Sequence, residues 1–172
     1  MRTKLITFAV VIAILSVTVQ QVNAQPQVDQ NYVARELLLL IQENAYEAAS
    51  DLFHYPDFYS TEKRTEEVVS VRQGLEKYKG AFGNIVETGG SVPEADYIGV
   101  GVSGADITYW EQYEGTVSQI VLPANFENVG WGVLSIGFVE NADAWEIQGV
   151  NYSIIATDEM RQMMGRLVEP EL

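Results

Sequence analysis

The stretch VARELLLLIQENAYEAASDLFHYP, residues 33–56, decides how the chain is read. Val33, Leu37, Leu40, Ile41, Ala45, Ala48 and Leu52 recur at the three-and-four spacing that lines one helical face. Leu38, Leu39 and Phe53 widen that stripe beyond what one neighbouring helix covers, while Arg35, Glu36, Gln42, Glu43, Glu47 and Asp51 leave a polar strip behind it. The expected partner is therefore a curved sheet. Pro56 cannot continue a helix and biases Tyr55 away from helical dihedrals, so a single helix ending near His54 is predicted. Leu40 and Leu52 are expected in the core beneath it.

Upstream, Arg2 and Lys4 precede an apolar run over residues 5–19, followed by Gln20-Gln21 and then Val22-Asn23-Ala24. This is the order of an export signal, and cleavage after Ala24 is expected, with residues 1–24 removed and a secreted or periplasmic product. The apolar run is shorter than the roughly 20 residues that span a bilayer, so no stable membrane insertion is expected after cleavage. Residues 25–32, with Pro26, read as a flexible leader in which Asp29 or Asn31 caps the first helix. One domain over residues 33–157 follows, and residues 158–172 form a C-terminal tail or short helix.

The chain carries 24 acidic against 10 basic residues and a net charge of −14, and the predicted signal holds two of the basic ones and none of the acids. Such a surface repels nucleic acid and anionic lipid, and the scattered acids serve solubility. The absence of cysteine excludes disulfides and thiolate sites. One histidine without a spaced carboxylate cluster makes no transition-metal set, so no metal and no cofactor are expected.

Downstream, Val68, Val71, Leu75, Tyr78, Phe82 and Ile85 predict a second helix over residues 65–85, with its end near Gly83. After the turn signals Gly89-Gly90 and Pro93 the period changes to two. Residues 105–113, 116–126, 131–140 and 145–156 read as four successive strands with short turns, an antiparallel meander. Leu134, Ile136 and Phe138 share one face of the third, and Trp131, Val133 and Val139 the other, so both faces are expected to be covered or aromatic. Pro123 marks a bulge or an edge.

The run Ala45-Tyr46-Glu47-Ala48-Ala49-Ser50-Asp51-Leu52-Phe53, with Gly83-Asn84-Ile85 and Ile147-Gln148-Gly149-Val150, resembles the nuclear-transport-factor-2-like superfamily, and within it a secreted group of unknown function. The resemblance covers residues 33–156. It implies an α+β fold in which N-terminal helices pack on a strongly bent antiparallel sheet of about four strands, a cone-like shape with a tapered cavity. Members use that cavity as an enzyme pocket, a ligand site or only a core, and fold alone does not choose among these. Residues 89–104 depart from the pattern by being longer and richer in glycine, which leaves their path open.

His54, the only histidine, stands beside Tyr55, Phe58 and Tyr59. Its chemistry suits a general base at neutral pH, but no carboxylate has a sequence-evident position to orient it. The preferred reading is a helix cap bonding the last carbonyls. Asp106, Glu111 and Glu140 flank strand aromatics and are the candidate pocket carboxylates, with Asp106 best placed yet expected at a solvent-exposed strand start. Gly99-Val100-Gly101-Val102-Ser103-Gly104 matches a dinucleotide fingerprint in letters only, since a strand rather than a helix is expected to follow. Asn151-Tyr152-Ser153 is a formal glycosylation acceptor in an expected buried strand. No Gly-x-Ser-x-Gly elbow is present.

Trp110, Trp131 and Trp145 with Tyr109, Tyr113 and Tyr152 would suit a planar or apolar ligand, or else core packing plus a homodimer through the sheet. His54, Tyr55, Trp110 and Trp131 are the expected ligand contacts. The resulting expectation is an exported, non-enzymatic domain that binds a small apolar ligand or an exported protein partner. The alternatives are a proton-transfer enzyme of isomerase or hydratase type, using a pocket carboxylate or His54, and an accessory domain for another exported protein.

Overall fold

The computed structural model describes residues 29–91, 94–142 and 144–168. The predicted export signal, its cleavage after Ala24 and the first part of the leader lie outside the described residues, as do residues 169–172 of the tail. No helix among the described residues is long and apolar enough to cross a membrane.

The opening stretch forms two helices rather than one. Helix α1, Gln30–Gln42, starts at Asp29, whose side chain accepts the Asn31 N–H. It ends because Asn44 adopts φ 59°, a left-handed conformation that asparagine tolerates better than most residues. The Ala45 N–H then reaches the Leu40 carbonyl at 2.8 Å and the Asn44 N–H reaches that of Ile41 at 3.2 Å, the paired bonds of a Schellman cap. Helix α2, Tyr46–Ser50, restarts in a new direction. The break changes which side chains face inward: Val33, Ala34, Leu37 and Ile41 are buried, Leu40 and Leu52 are only half-buried, and Ala48 is exposed.

Helix α3, Thr61–Phe82, begins earlier than the apolar spacing indicates. Ser60 caps it by accepting the Lys63 N–H, and Lys63 pairs with Glu67 one turn on. It ends at Gly83, φ 80°, so Ile85 belongs to the sheet instead. Its last carbonyls are all engaged: Gly83 N–H bonds Lys79, Asn128 N–H bonds Phe82, and Asn128 Nδ2 bonds both Gly80 and Ala81.

The sheet has five strands: β1 Ile85–Thr88, β2 Tyr97–Ser103, β3 Val117–Phe126, β4 Gly130–Asn141 and β5 Ala144–Ile155. Their order is β1-β3-β4-β5-β2, and every pairing is antiparallel. The three-strand meander β3–β5 matches the sequence reading, but residues 105–113 are not a strand. Asp106 accepts the Tyr109 N–H and caps a short helix, α4, Ile107–Glu111. A local cap outweighs the β preference of Ile107, Thr108, Tyr109 and Trp110. Two strands are missing from the sequence reading, the short β1 and the glycine-rich β2, the latter registered on β5 with Val100 opposite Tyr152. Its glycines answer to that neighbour, since a Cβ at Gly101 would run into the Asn151 side chain.

One face of the sheet carries the main core. Leu134, Ile136, Phe138, Ile147, Val150, Tyr152 and Ile154 pack with Leu37 and Ile41 of α1 and Val71, Leu75 and Phe82 of α3. At Gly137 and Phe138 the register slips, leaving Gln148 without an opposite residue, and this lets Ile147 and Val150 both contribute to the core. Val133 and Val139 are buried outside that cluster, and Asn151 is exposed rather than buried. The tail extends the domain: helix α5, Asp158–Val168, seats Met164 in the core and packs Met160, Met163 and Leu167 against it.

Candidate functional site

The structure offers two places where polar groups meet apolar surroundings. The first surrounds His54. Beyond α2 the chain runs beside the part of β5 that β2 does not reach: Ile147 N–H bonds the Leu52 carbonyl at 2.8 Å and His54 N–H bonds the Ile147 carbonyl at 2.9 Å. Ile147 turns into the main core, so its neighbour Glu146 presents its carboxylate to the opposite side. There His54 Nδ1 lies 2.6 Å from Glu146 Oε2, and His54 Nε2 lies 2.9 Å from the Tyr109 hydroxyl. A carboxylate only accepts, which puts a proton on Nδ1 and leaves Nε2 to accept from Tyr109 in the neutral ring. Glu146 Oε1 in turn accepts from Asn141 Nδ2.

Aromatic rings enclose the imidazole. Tyr109 stacks on it at 5.9 Å between centroids, and Trp110 and Tyr113 stand at 5.7 and 6.0 Å. Trp110 is fixed by Nε1–H donating to Ser103 Oγ at 2.7 Å, and the Tyr113 hydroxyl donates to the Glu140 carbonyl. Burial first, then the neighbouring Tyr113, holds the Tyr109 phenol above the ordinary tyrosine range, so it remains a proton donor. The expectation that His54 caps a helix is overturned. Helix α2 ends at Ser50, and the ring bonds Glu146 and Tyr109 instead of carbonyls. Both ring nitrogens are engaged within the protein.

Of the four expected ligand contacts, the structure brings together His54 and Trp110. Tyr55 follows His54 but packs in the main core, its hydroxyl donating to the Ser50 carbonyl at 3.0 Å and Arg64 lying over its ring. Burial, with Asp51 adding, pushes its phenol far up. Trp131 sits at the β3–β4 end of the sheet opposite Asn125 and is 41% exposed. Asp106 and Glu111 are exposed, and Glu140 is half-buried. Among the described residues no three metal-ligating side chains come together. The Asp106 carboxylate already occupies the start of α4, which leaves no phosphate cradle after the glycine-rich strand.

The second place is a cavity of about 150 Å³ on the main-core side. Leu38, Ile41 and Gln42 of α1, Lys79 from the last turn of α3, Gly83, Asn84, Ile85 and Tyr152 of β5 line it. Tyr152 is 3% exposed and wedged against Phe82 at 5.2 Å, Phe126 at 6.0 Å and Tyr78 at 6.1 Å. Its hydroxyl has no hydrogen bond among the described residues, and burial pushes its pKa far above the usual tyrosine value. A wider hollow over α2, lined by Asn44, Tyr46, Glu47 and Asp51, is open to solvent and acidic.

Two residues of these sites escaped the sequence reading. Glu146 lies in the alternation Trp145-Glu146-Ile147, a lone acid between apolar strand residues, and that was its only signal. Lys79 looked like any solvated helix lysine. Compared with family models, with curated proteins and with solved structures, the chain has no match in any of the three.

Proposed function

We propose that this chain is an exported, non-enzymatic binding domain, cone-like in the manner of the nuclear-transport-factor-2-like superfamily, that holds a small and largely apolar ligand in the cavity between α1, the end of α3 and β5. The observation that carries the reading is Tyr152, 3% exposed on the lining of a cavity of about 150 Å³, whose hydroxyl has no hydrogen-bond partner among the described residues. The hydroxyl opens onto the cavity, where it can donate to a bound guest that accepts a hydrogen bond, worth about 0.5–1.5 kcal/mol net of the water it replaces. The volume matches a benzene-sized molecule, and the partly open, mixed lining sets the scale at one ring or a short branched chain with a polar end. A proton-transfer enzyme needs an acid or base facing its substrate. The residues lining this cavity include neither a carboxylate nor an imidazole, which favours binding over turnover. Xenon-pressurised crystals test the reading: a xenon atom is expected among Leu38, Ile41 and Ile85, and a cavity that takes up none at all argues against it.

A second reading rests on the other site. Glu146, His54 and Tyr109 form a continuous hydrogen-bonded chain from a carboxylate to a half-buried phenol, beside Phe58, which is 75% exposed. In an isomerase or hydratase the Tyr109 oxygen would take a substrate proton while its own passes to His54 Nε2. Removing His54 would then lower turnover by about 100-fold or more with the fold intact. Unchanged turnover in His54→Gln excludes this enzyme.

A further inference from the structure

We infer that the ligand of the Tyr152 cavity is an anion, a monocarboxylate with a single-ring or short branched apolar body, whose charged end pairs with Lys79. The inference rests on the binding function proposed above and adds the ligand's charge. Lys79 is half-buried on the cavity lining and forms no ion pair among the described residues, although the chain has 24 acids for 10 basic residues and Glu76 stands one turn behind it. Lys63, by contrast, has found its acid in Glu67.

A lysine in the last turn of a helix ordinarily serves the exposed carbonyls there. In α3 that work is done by others, because Gly83 and Asn128 donate to the carbonyls of Lys79, Gly80, Ala81 and Phe82. The terminal carbonyls of α3 therefore do not call on the Lys79 ammonium. Among the described residues nothing acidic lines the cavity to oppose an anion. Glu127, bonded to the lining residue Asn84, is exposed, and its Oε2 takes both the backbone and the side-chain N–H of Asn84.

The remaining polar groups suit the same guest. Lys79 can only donate, and the Tyr152 phenol, held protonated by burial, donates to an oxygen. Leu38, Ile41 and Ile85 contact the apolar body. The overall negative charge of the protein slows the approach of an anion. It does not cancel a contact pair, since charges more than about 10 Å away are screened at 0.1 M salt. A charge-assisted hydrogen bond at such a site makes a carboxylate bind roughly ten- to a hundredfold more tightly than a neutral molecule of the same shape.

Isothermal titration of the purified protein with benzoate and with benzyl alcohol measures this directly. The expected result is at least about tenfold tighter binding of benzoate. That ratio should fall toward one in both Lys79→Gln and Lys79→Met, and should persist in Lys77→Gln, which removes an exposed charge elsewhere on α3. Equal affinity for the two probes, or a benzoate advantage that survives loss of Lys79, overturns the anion inference while leaving the binding cavity in place. Failure of both probes to bind overturns the cavity reading and this inference with it.

Discussion

Tyr152→Phe removes one oxygen from a main-core side chain that is 3% exposed and is expected to leave the protein as stable as before, or more stable. A buried tyrosine whose hydroxyl is bonded to protein loses about 0.5–1.5 kcal/mol when that oxygen is deleted. Tyr152 has no such bond among the described residues, and its ring contacts with Phe82, Phe126 and Tyr78 survive in phenylalanine. The hydroxyl is not sealed from solvent, so water in the 150 Å³ cavity already meets most of its hydrogen-bonding need and little desolvation is relieved. The net expectation is a change between zero and about 1 kcal/mol of added stability. Urea unfolding followed by tryptophan fluorescence measures it, provided the slope of the transition is unchanged. The same variant should bind a ring-sized oxygen ligand more weakly, so stability and binding move in opposite directions. A loss of about 1 kcal/mol or more would show that the hydroxyl has a structural partner and would refute its assignment to a ligand.

Leu37→Ala, at a fully buried position of α1, should cost about 2–5 kcal/mol, with Leu39→Ala on the exposed side within about 0.5 kcal/mol of wild type; denaturation midpoints that fail to separate the two would mean that α1 is rotated. Glu146→Ala should cost about 1–2 kcal/mol by loss of a charged hydrogen-bond partner, discounted because the carboxylate is about one-third exposed, and the cost should largely vanish in a His54→Gln background. Tyr55 and Tyr152 have pKa values raised in the fold, so their contribution is fully present below the ordinary tyrosine value near 10 and is lost progressively as pH climbs from there to the raised folded values, because the unfolded chain releases protons that the native chain keeps. Absorbance at 295 nm should therefore show these two phenols ionising only together with alkaline unfolding, and their free titration near pH 10 in folded protein would contradict their burial.

How much of this was legible in the sequence depends on the range over which each feature is decided. Helix α3 was readable because Val71, Leu75 and Phe82 repeat at helical spacing and Gly83 stops the run locally. The break at Asn44 was not, since the apolar spacing continues across it and only the left-handed backbone of one residue interrupts the helix. Residues 105–113 misled because Tyr109 and Trp110 favour strands, while the deciding interaction was the cap from Asp106. The strand β2 was hidden by Gly99 and Gly101, whose use becomes apparent only against Ser153 and Asn151 across the ladder. At the site, His54 could be picked out as the lone histidine, but its partners are 92 and 55 positions away and are joined to it by the edge of β5. Of the cavity residues, Tyr152 was named only within a group of aromatics that suit a ligand or core packing, and Lys79 carried no signal of its own. Their shared role depends on the gap between α1 and the end of α3, which no local pattern encodes.

The central claim is that the cavity between α1, α3 and β5 is a ligand site, and methyl NMR measures it most directly. Titrating benzoate into protein labelled at leucine and isoleucine methyls should give saturable shifts at Leu38, Ile41 and Ile85, which line the cavity, with Leu122 of β3 as an unshifted reference. Methyl signals of the cavity residues that stay fixed at all benzoate concentrations, or saturable shifts centred instead on Ile107 beside the His54 site, would contradict it.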